Sequence, residues 1–317
     1  MKAVFLDFDT MGGDLDLAPL RNVVDDLVVY DYSAPDEIAD RIRDADIVFT
    51  NKMQLTDALF ATATRLRFIG LTATGTDNID LDSAAKNGIA VFNIRAYCTE
   101  SVVEHVFAVL LTLTHRLDAY RGSVAAGDWQ KARDPFLFEH PIRELSAMTM
   151  GVVGYGSLGR GVANVASAFG MDVLVSARPD APEVPGGRVA FDELLRRSDV
   201  ISLHCPLDES TRKLFGAEQF RAMKDTAILI NTARGGLVDS RALAEALRAR
   251  QIAAAAVDVL PVEPPVDGDP LLDYEGDNLI VTPHIAWASN EARQNAIDQL
   301  AENVREFVDG GDRNRVV

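Results

Sequence analysis

Residues 149–177 read TMGVVGYGSLGRGVANVASAFGMDVLVSA. An apolar, β-rich run leads into glycines at 154, 156 and 159; a helical pattern follows, and Gly170 closes it before a second apolar run ending at Ala177. A GxGxxG set between a strand and a helix inside a βαβ unit is the dinucleotide fingerprint. Gly154 permits the tight turn, Gly156 lets backbone approach a pyrophosphate, and Gly159 lets helix and strand pack closely. Ser157 and Leu158 open the helix, whose unpaired amides and positive dipole end face the phosphates.

The alternation extends in both directions. Upstream, residues 2–8, 28–32, 46–50, 67–73 and 89–94 read as strands, and 17–27, 35–44, 56–64 and 80–87 have helical spacing. Strands separated by helices of this length imply βαβ units and a parallel sheet. A long, nearly all-apolar helix over 100–116 interrupts the series, followed by an irregular stretch, 121–146, that holds Trp129, Phe136 and Phe138. A second series runs from Thr149 to about Thr282, and a last helix spans 290–309 before Gly310 and Gly311. The expectation is an α/β protein of two Rossmann-like lobes, the first over residues 1–98 and the second, doubly wound, over 99–286.

Composition narrows the partners. A chain of 317 residues is long for one core, so two domains are expected. With 48% hydrophobic and 25% charged residues it is a soluble globular chain, not a disordered or fibrous one. Apolar runs such as 252–257 fall far short of the roughly 20 residues of a membrane-spanning helix, and no basic region precedes an apolar stretch at the N-terminus, so a cytoplasmic protein is expected. A net charge of -17 repels polyanions, so nucleic acid is not expected as a partner, nor, with apolar runs this short, is a membrane; a small anionic substrate held by local donors stays possible. Cys98 and Cys205 stand apart from each other and from any Cys/His cluster, so neither a disulfide framework nor a metal site is expected. FLDFDTM at 5–11 approaches the motif of aspartyl-phosphate phosphatases, but Met11 occupies its last position and no lysine and acidic pair follows. It reads as a strand ending in an Asp-rich turn.

Chemistry gathers at later strand tips. SDVISLHCPL (198–207), ILINTARGGLVD (228–239), AAVDVLPVEPP (255–265) and VTPHIAW (281–287) each run from a buried strand to a polar end. Open α/β sheets bind ligands at that carboxyl edge. Arg234, Glu263 and His284 stand there, and the trio suits reduction of a 2-oxo acid. An arginine clamps the carboxylate and polarises the oxo group, a histidine gives the proton to the developing alkoxide, and a carboxylate fixes the imidazole tautomer and favours its protonated form. At the end of the second strand of the fingerprint, where an acid selects NAD through the ribose 2′-OH, the chain has Ala177 and then Arg178. Arg178 offers a bidentate partner to a 2′-phosphate, so NADP is expected in preference to NAD, both being accepted.

On GYGSLG, INTARGGLVD, VDV with VEPP, and TPHIAW, the chain strongly resembles the D-isomer-specific 2-hydroxyacid dehydrogenase family over nearly its whole length. Through NKMQL, the 101–105 segment and SLHCPL it is most similar to the glycerate dehydrogenase and hydroxypyruvate reductase branch. The resemblance implies that the last helix returns to the first lobe. The substrate domain, flavodoxin-like, is then 1–98 plus 287–317, and the dinucleotide-binding domain is 99–286. It implies that Arg234, Glu263 and His284 are catalytic, that Asp258 binds the nicotinamide carboxamide, that Cys205, Pro206, Thr232 and Ala233 line the cofactor, and that Thr99 lies near the nicotinamide. The turn Ala73, Thr74, Gly75 matches the loop whose amides hold the substrate carboxylate, and the irregular stretch matches the arm through which relatives form homodimers. Departures are Ala73 and Ala286 where the family has glycine, and the large Trp287; with Tyr97 these would select a small substrate. The expected activity is hydride transfer between NAD(P)H and a small 2-oxo acid such as hydroxypyruvate or glyoxylate, giving the D-2-hydroxy acid. A dinucleotide-sensing corepressor and a formate or phosphite dehydrogenase are the alternatives; the intact trio and the lack of a long disordered or basic tail weigh against the corepressor.

Overall fold

A computed structural model describes residues 1–179, 181 and 183–317 of the chain. The chain divides into two compact units, Met1–Cys98 with Ala288–Val317, and Thr99–Trp287. Among the described residues no helix is long and apolar enough to cross a membrane.

In the first unit, β1 (Lys2–Phe5), β2 (Asp26–Val29), β3 (Ile47–Thr50), β4 (Phe68–Leu71) and β5 (Ala90–Phe92) form a parallel sheet in the order β2-β1-β3-β4-β5. This is the flavodoxin-like order. The central strands are buried on both faces, so they read as continuous apolar runs rather than alternating ones. Phe5, Phe49, Phe68 and Phe92 pass ring contacts from strand to strand at 5.0–6.4 Å between centroids. The terminal helix, Asn290–Val308, packs on this sheet: Phe307 meets Phe68 at 5.2 Å, and a Cβ added at Gly70 would stand 2.5 Å from Leu300 Cδ1. Gly70 is thus the space that lets the helix approach.

In the second unit, β6 (Thr149–Val153), β7 (Asp172–Val175), β8 (Val200–Leu203), β9 (Ile228–Asn231), β10 (Ala254–Val257) and β11 (Leu279–Val281) form a parallel sheet in the order β11-β10-β9-β8-β6-β7. The strand order reverses between β6 and β8, and the carboxyl ends of those two strands are where a crevice opens. The long helix Thr99–His115 and the helix Ser157–Ala168 share one core with Met150, Val152, Ile230 and Ala256; Leu203, Phe215, Phe220, Leu243 and Leu247 belong to the other. Two parallel α/β domains of the expected kinds are therefore present.

Two local expectations change. The helix expected over 17–27 is one turn, Ala18–Arg21, because Asp26 and Leu27 pair with Lys2 and Ala3 in the sheet; strand pairing overrides helical spacing there. The stretch 121–146 is not irregular throughout: helices Leu117–Ala125 and Asp128–Lys131 flank Gly127, whose φ is +78°. Neither has a buried residue, so neither has an apolar stripe to read. In FLDFDTM, Phe8–Met11 is a 3₁₀ turn. Asp7 is buried and accepts from the amides of Asn51 and Lys52 at 3.0 and 2.7 Å, so its carboxylate ties the tips of β1 and β3 together.

Candidate active site

β6 ends at Val153, and the turn beyond it is shaped by its glycines. Gly154 has φ +93°, and a Cβ on it would stand 2.4 Å from Cys205 N at the end of β8. A Cβ on Gly159 would stand 2.0 Å from Gly154 O, whereas one on Gly156 would meet nothing within 4 Å. Two glycines are required by packing and the third leaves an open cradle. Gly156 caps the helix Ser157–Ala168 without a side chain, so among the described residues the first-turn amides, Ser157 and Leu158 included, have no side-chain acceptor. Thr232 Oγ1, beyond the tip of β9, is buried without a partner among the described residues. An open glycine, an uncapped helix start and an orphaned hydroxyl at this carboxyl edge fit a dinucleotide. Thr99 heads the long helix, its methyl 3.3 Å from where a Cβ of Gly161 would be. Ala177 is buried and donates its N–H to Val189 O at 2.8 Å; Arg178 is exposed. The sequence reading missed a second arginine: Arg188 Nη1 donates to Ser176 O at 3.1 Å, beside Ala177.

Around Cys205 the environment is apolar. Burial pushes the Cys205 thiol up to about 11 and the neighbouring His204 imidazole down to about 4. His204 Nε2 meets Ser202 Oγ at 2.8 Å, and its Nδ1 is buried without a partner among the described residues. Folded, this ring stays neutral to about pH 4; unfolded, it takes a proton below about 6.5. Between those values the unfolded state binds more protons, so acidification removes about 3 kcal/mol of stability. Urea unfolding at pH 7 and 4.5 should show this loss in the parent and a smaller one in His204→Gln; equal losses would sink the assignment.

The catalytic candidates come from three successive loops. Asn231, the last residue of β9, donates Nδ2 to Arg234 O at 3.0 Å and accepts from Ala233 N at 3.1 Å, and so shapes the turn through Thr232 and Ala233. Gly235 must be glycine: a Cβ would stand 2.0 Å from Leu260 C. Arg234, extended and exposed, donates Nη1 to Ala233 O at 2.8 Å. After β10, Glu263 Oε1 accepts from Leu260 N at 2.8 Å, which aims Oε2 at His284 Nδ1, 2.7 Å away. Both side chains are about one-third exposed. With Nδ1 facing a carboxylate, Nδ1 carries a proton and Nε2 is the nitrogen open to a ligand.

His284 sits at φ +57°, a left-handed conformation that costs a residue with a side chain about 1–3 kcal/mol unless its surroundings impose it. They do. His284 N donates to Asp258 O and Thr282 O at 2.8 and 3.0 Å. The buried Asp258 carboxylate accepts from Thr282 Oγ1 at 2.6 Å and from the amides of Ile285 and Ala286, both at 2.9 Å. In the first unit, the turn Ala73–Gly75 is fixed by Thr74 Oγ1 donating to Ile94 O at 2.8 Å, by Asn93 Nδ2 donating to Thr74 O at 2.7 Å, and by Ile94 N donating to Ala73 O at 3.2 Å. Tyr97 is buried, Trp287 half-buried and Pro206 exposed.

The sequence pattern of the D-isomer specific 2-hydroxyacid dehydrogenase NAD binding domain matches residues 107–286, more than half of the chain. The chain belongs to this family. Glycerate dehydrogenase of Methylorubrum extorquens is 44% identical over 282 residues, covering 89% of this chain and 88% of its own. Hydroxypyruvate reductase of Blautia hydrogenotrophica is 37% identical over 323 residues, 100% of this chain and 99% of its own. A solved D-lactate dehydrogenase of Aquifex aeolicus, complexed with NAD and lactic acid, superposes with a TM-score of 0.83 at 31% identity, covering 100% and 99% of the two chains. This 2-hydroxyacid dehydrogenase is therefore an oxidoreductase that acts on CH–OH groups and uses a nicotinamide dinucleotide.

Proposed function

We propose that the chain is a cytoplasmic reductase of a small 2-oxo acid, of the hydroxypyruvate or glyoxylate kind, giving the D-2-hydroxy acid. The observation that carries this is the 2.7 Å pairing of His284 Nδ1 with Glu263 Oε2, with Arg234 at the neighbouring strand tip. Arg234 offers a planar fork of N–H donors to the substrate carboxylate and oxo oxygen. His284 gives the Nε2 proton to that oxygen as negative charge develops there, and Glu263 holds the resulting arrangement of the ring. When bound, the reduced nicotinamide supplies the hydride to the carbonyl carbon. The amides of Ala73, Thr74 and Gly75 are further donors for a carboxylate. Tyr97, Ala286 and Trp287 would restrict the substrate side chain. The relatives named glycerate dehydrogenase and hydroxypyruvate reductase support the substrate class.

For the cofactor, the glycine turn with Ser157 and Leu158 holds the pyrophosphate, Thr99, Cys205, Pro206, Thr232, Ala233 and Asp258 lie along the dinucleotide, and NADPH is favoured over NADH. Ala177 offers no carboxylate to a ribose 2′-OH and none to repel a 2′-phosphate. Arg178, exposed and without a side-chain partner among the described residues, supplies the charge. A charge-assisted hydrogen bond contributes about 1.5–3 kcal/mol, so kcat/KM should favour NADPH about tenfold or more. A panel of 2-oxo acids assayed with each cofactor at 340 nm tests both claims. No turnover of any small 2-oxo acid would end the substrate reading. Strict NADH selectivity, unchanged in Ala177→Asp/Arg178→Ala, would end the cofactor reading.

The oligomer is a homodimer in this reading. Trp129, Phe136, Phe138 and Ile142 expose 53%, 63%, 87% and 53% of their surface within one short segment, an apolar patch of the kind that marks an interface. Light scattering at micromolar concentration should give twice the chain mass of 34.4 kDa, and a monomer would refute it.

A further inference from the structure

The segment Ser101–His105 carries no role in the mechanism above, yet two of its side chains reach the loop that bears His284. Ser101 Oγ donates to Ala286 O at 2.7 Å. One turn further along the same helix, His105 Nε2 lies 3.2 Å from Thr282 Oγ1. Thr282 spends its own hydroxyl proton on Asp258 Oδ1 at 2.6 Å, so it must accept from His105, and His105 is the Nε2–H tautomer. Residues 101 and 105 share one helix face, and they grip the loop two residues before His284 and two residues after it.

Between the two grips stands Asp258. Its Oδ1 takes Thr282 Oγ1 and Ile285 N, and its Oδ2 takes Ala286 N, so most of its acceptor capacity is committed to the loop. His105 Nε2 is also 3.9 Å from Asp258 Oδ1. The helix is a firm reference: Val103, Val106, Phe107 and Leu110 are packed in the same core as β10 residues Ala254 and Ala256, and β10 leads directly into Asp258. A left-handed histidine held on a loop by groups from a packed helix and a packed strand has one position available to it.

The geometry points to Ser101 and His105 as positioning residues for the proton donor, acting through Thr282, Asp258 and the Ala286 carbonyl. In this account Asp258 holds His284 in place as its main task, with at most one acceptor site left for the nicotinamide carboxamide. The inference rests on His284 being the proton donor.

The test separates position from cofactor binding. His105→Leu removes the Nε2–H at little change in size, and His105→Gln restores an N–H donor at similar reach. Since displacement of a reacting group by about 1 Å can cost 10²-fold, His105→Leu should lower kcat by about 10- to 100-fold. Dinucleotide Kd, read by fluorescence titration, should stay within about twofold, and His105→Gln should recover most of kcat. Ser101→Ala should lower kcat in the same sense, and Ser101→Thr should restore it. These Ser101 variants carry the test if circular dichroism shows His105→Leu unfolded. In a His284→Asn background the effect of His105→Leu on kcat should disappear, because both act on one proton transfer. An unchanged kcat in His105→Leu and Ser101→Ala would overturn the inference. So would an equal fall in the His284→Asn background, or a weakened Kd with kcat intact. If His284→Asn alone turns over normally, the mechanism itself fails, and the two failures are distinguishable.

Discussion

His284→Asn should lower kcat for 2-oxo acid reduction by about 10²–10⁴-fold while dinucleotide affinity stays near that of the parent. In the proposed mechanism the ring transfers its proton from Nε2, since Nδ1 is committed to Glu263 at 2.7 Å. Asparagine can fill part of the space and keep a hydrogen bond to Glu263, yet it has no proton to give at neutral pH. Glu263→Gln is the finer probe. Its two oxygens accept from two donors, Leu260 N and His284 Nδ1. A glutamine amide would turn an NH₂ toward one of them, donor against donor, and so would either lose the anchor at Leu260 or force the imidazole into its other tautomer. kcat should therefore fall to a level between the parent and His284→Asn. Steady-state rates at saturating cofactor decide this; a Glu263→Gln enzyme indistinguishable from the parent would remove Glu263 from the mechanism.

What could be read from the chain followed from how local each signal was. The βαβ alternation and the glycine turn are patterns of neighbouring residues; Gly154 and Gly159 stand where local geometry demands them, and Gly156 leaves the cradle between them open. The flavodoxin-like order of the first sheet was expected only through resemblance, because strand order is a property of pairing and leaves no mark in strands buried on both faces. The helices Leu117–Ala125 and Asp128–Lys131 escaped because they bury nothing. Arg188 escaped for another reason: it lies 12 residues from Ser176 along the chain and reaches it only because Val189 bridges to that strand end. The grip of Ser101 and His105 on the His284 loop spans 185 and 177 residues of sequence, which no spacing rule detects. The motifs that carry the proposed catalytic residues were thus legible, and the side chains that reach the His284 loop from far along the chain were not.

Arg234→Ala should cost about 10²–10³-fold or more in kcat/KM, the usual loss when one preorganised donor to a developing oxyanion is removed. The backbone around it is independent of the guanidinium. Asn231 braces the turn through Arg234 O and Ala233 N, and Gly235 is wedged against Leu260. Truncation should therefore leave the fold and the dinucleotide site intact, and a fluorescence titration should return a nearly unchanged Kd for the cofactor. The loss should fall on both parameters: KM rises because the carboxylate loses its clamp in the ground state, and kcat falls because the oxo group is no longer polarised as it becomes an alkoxide. Arg234→Lys separates charge from shape. A lysine restores the positive charge as a single point but cannot present two parallel N–H groups, so it should recover part of KM and little of kcat. If Arg234→Lys recovers both fully, the guanidinium acts through charge alone. If Arg234→Ala keeps near-parental kcat/KM, this arginine does not touch the substrate and the clamp must be sought elsewhere.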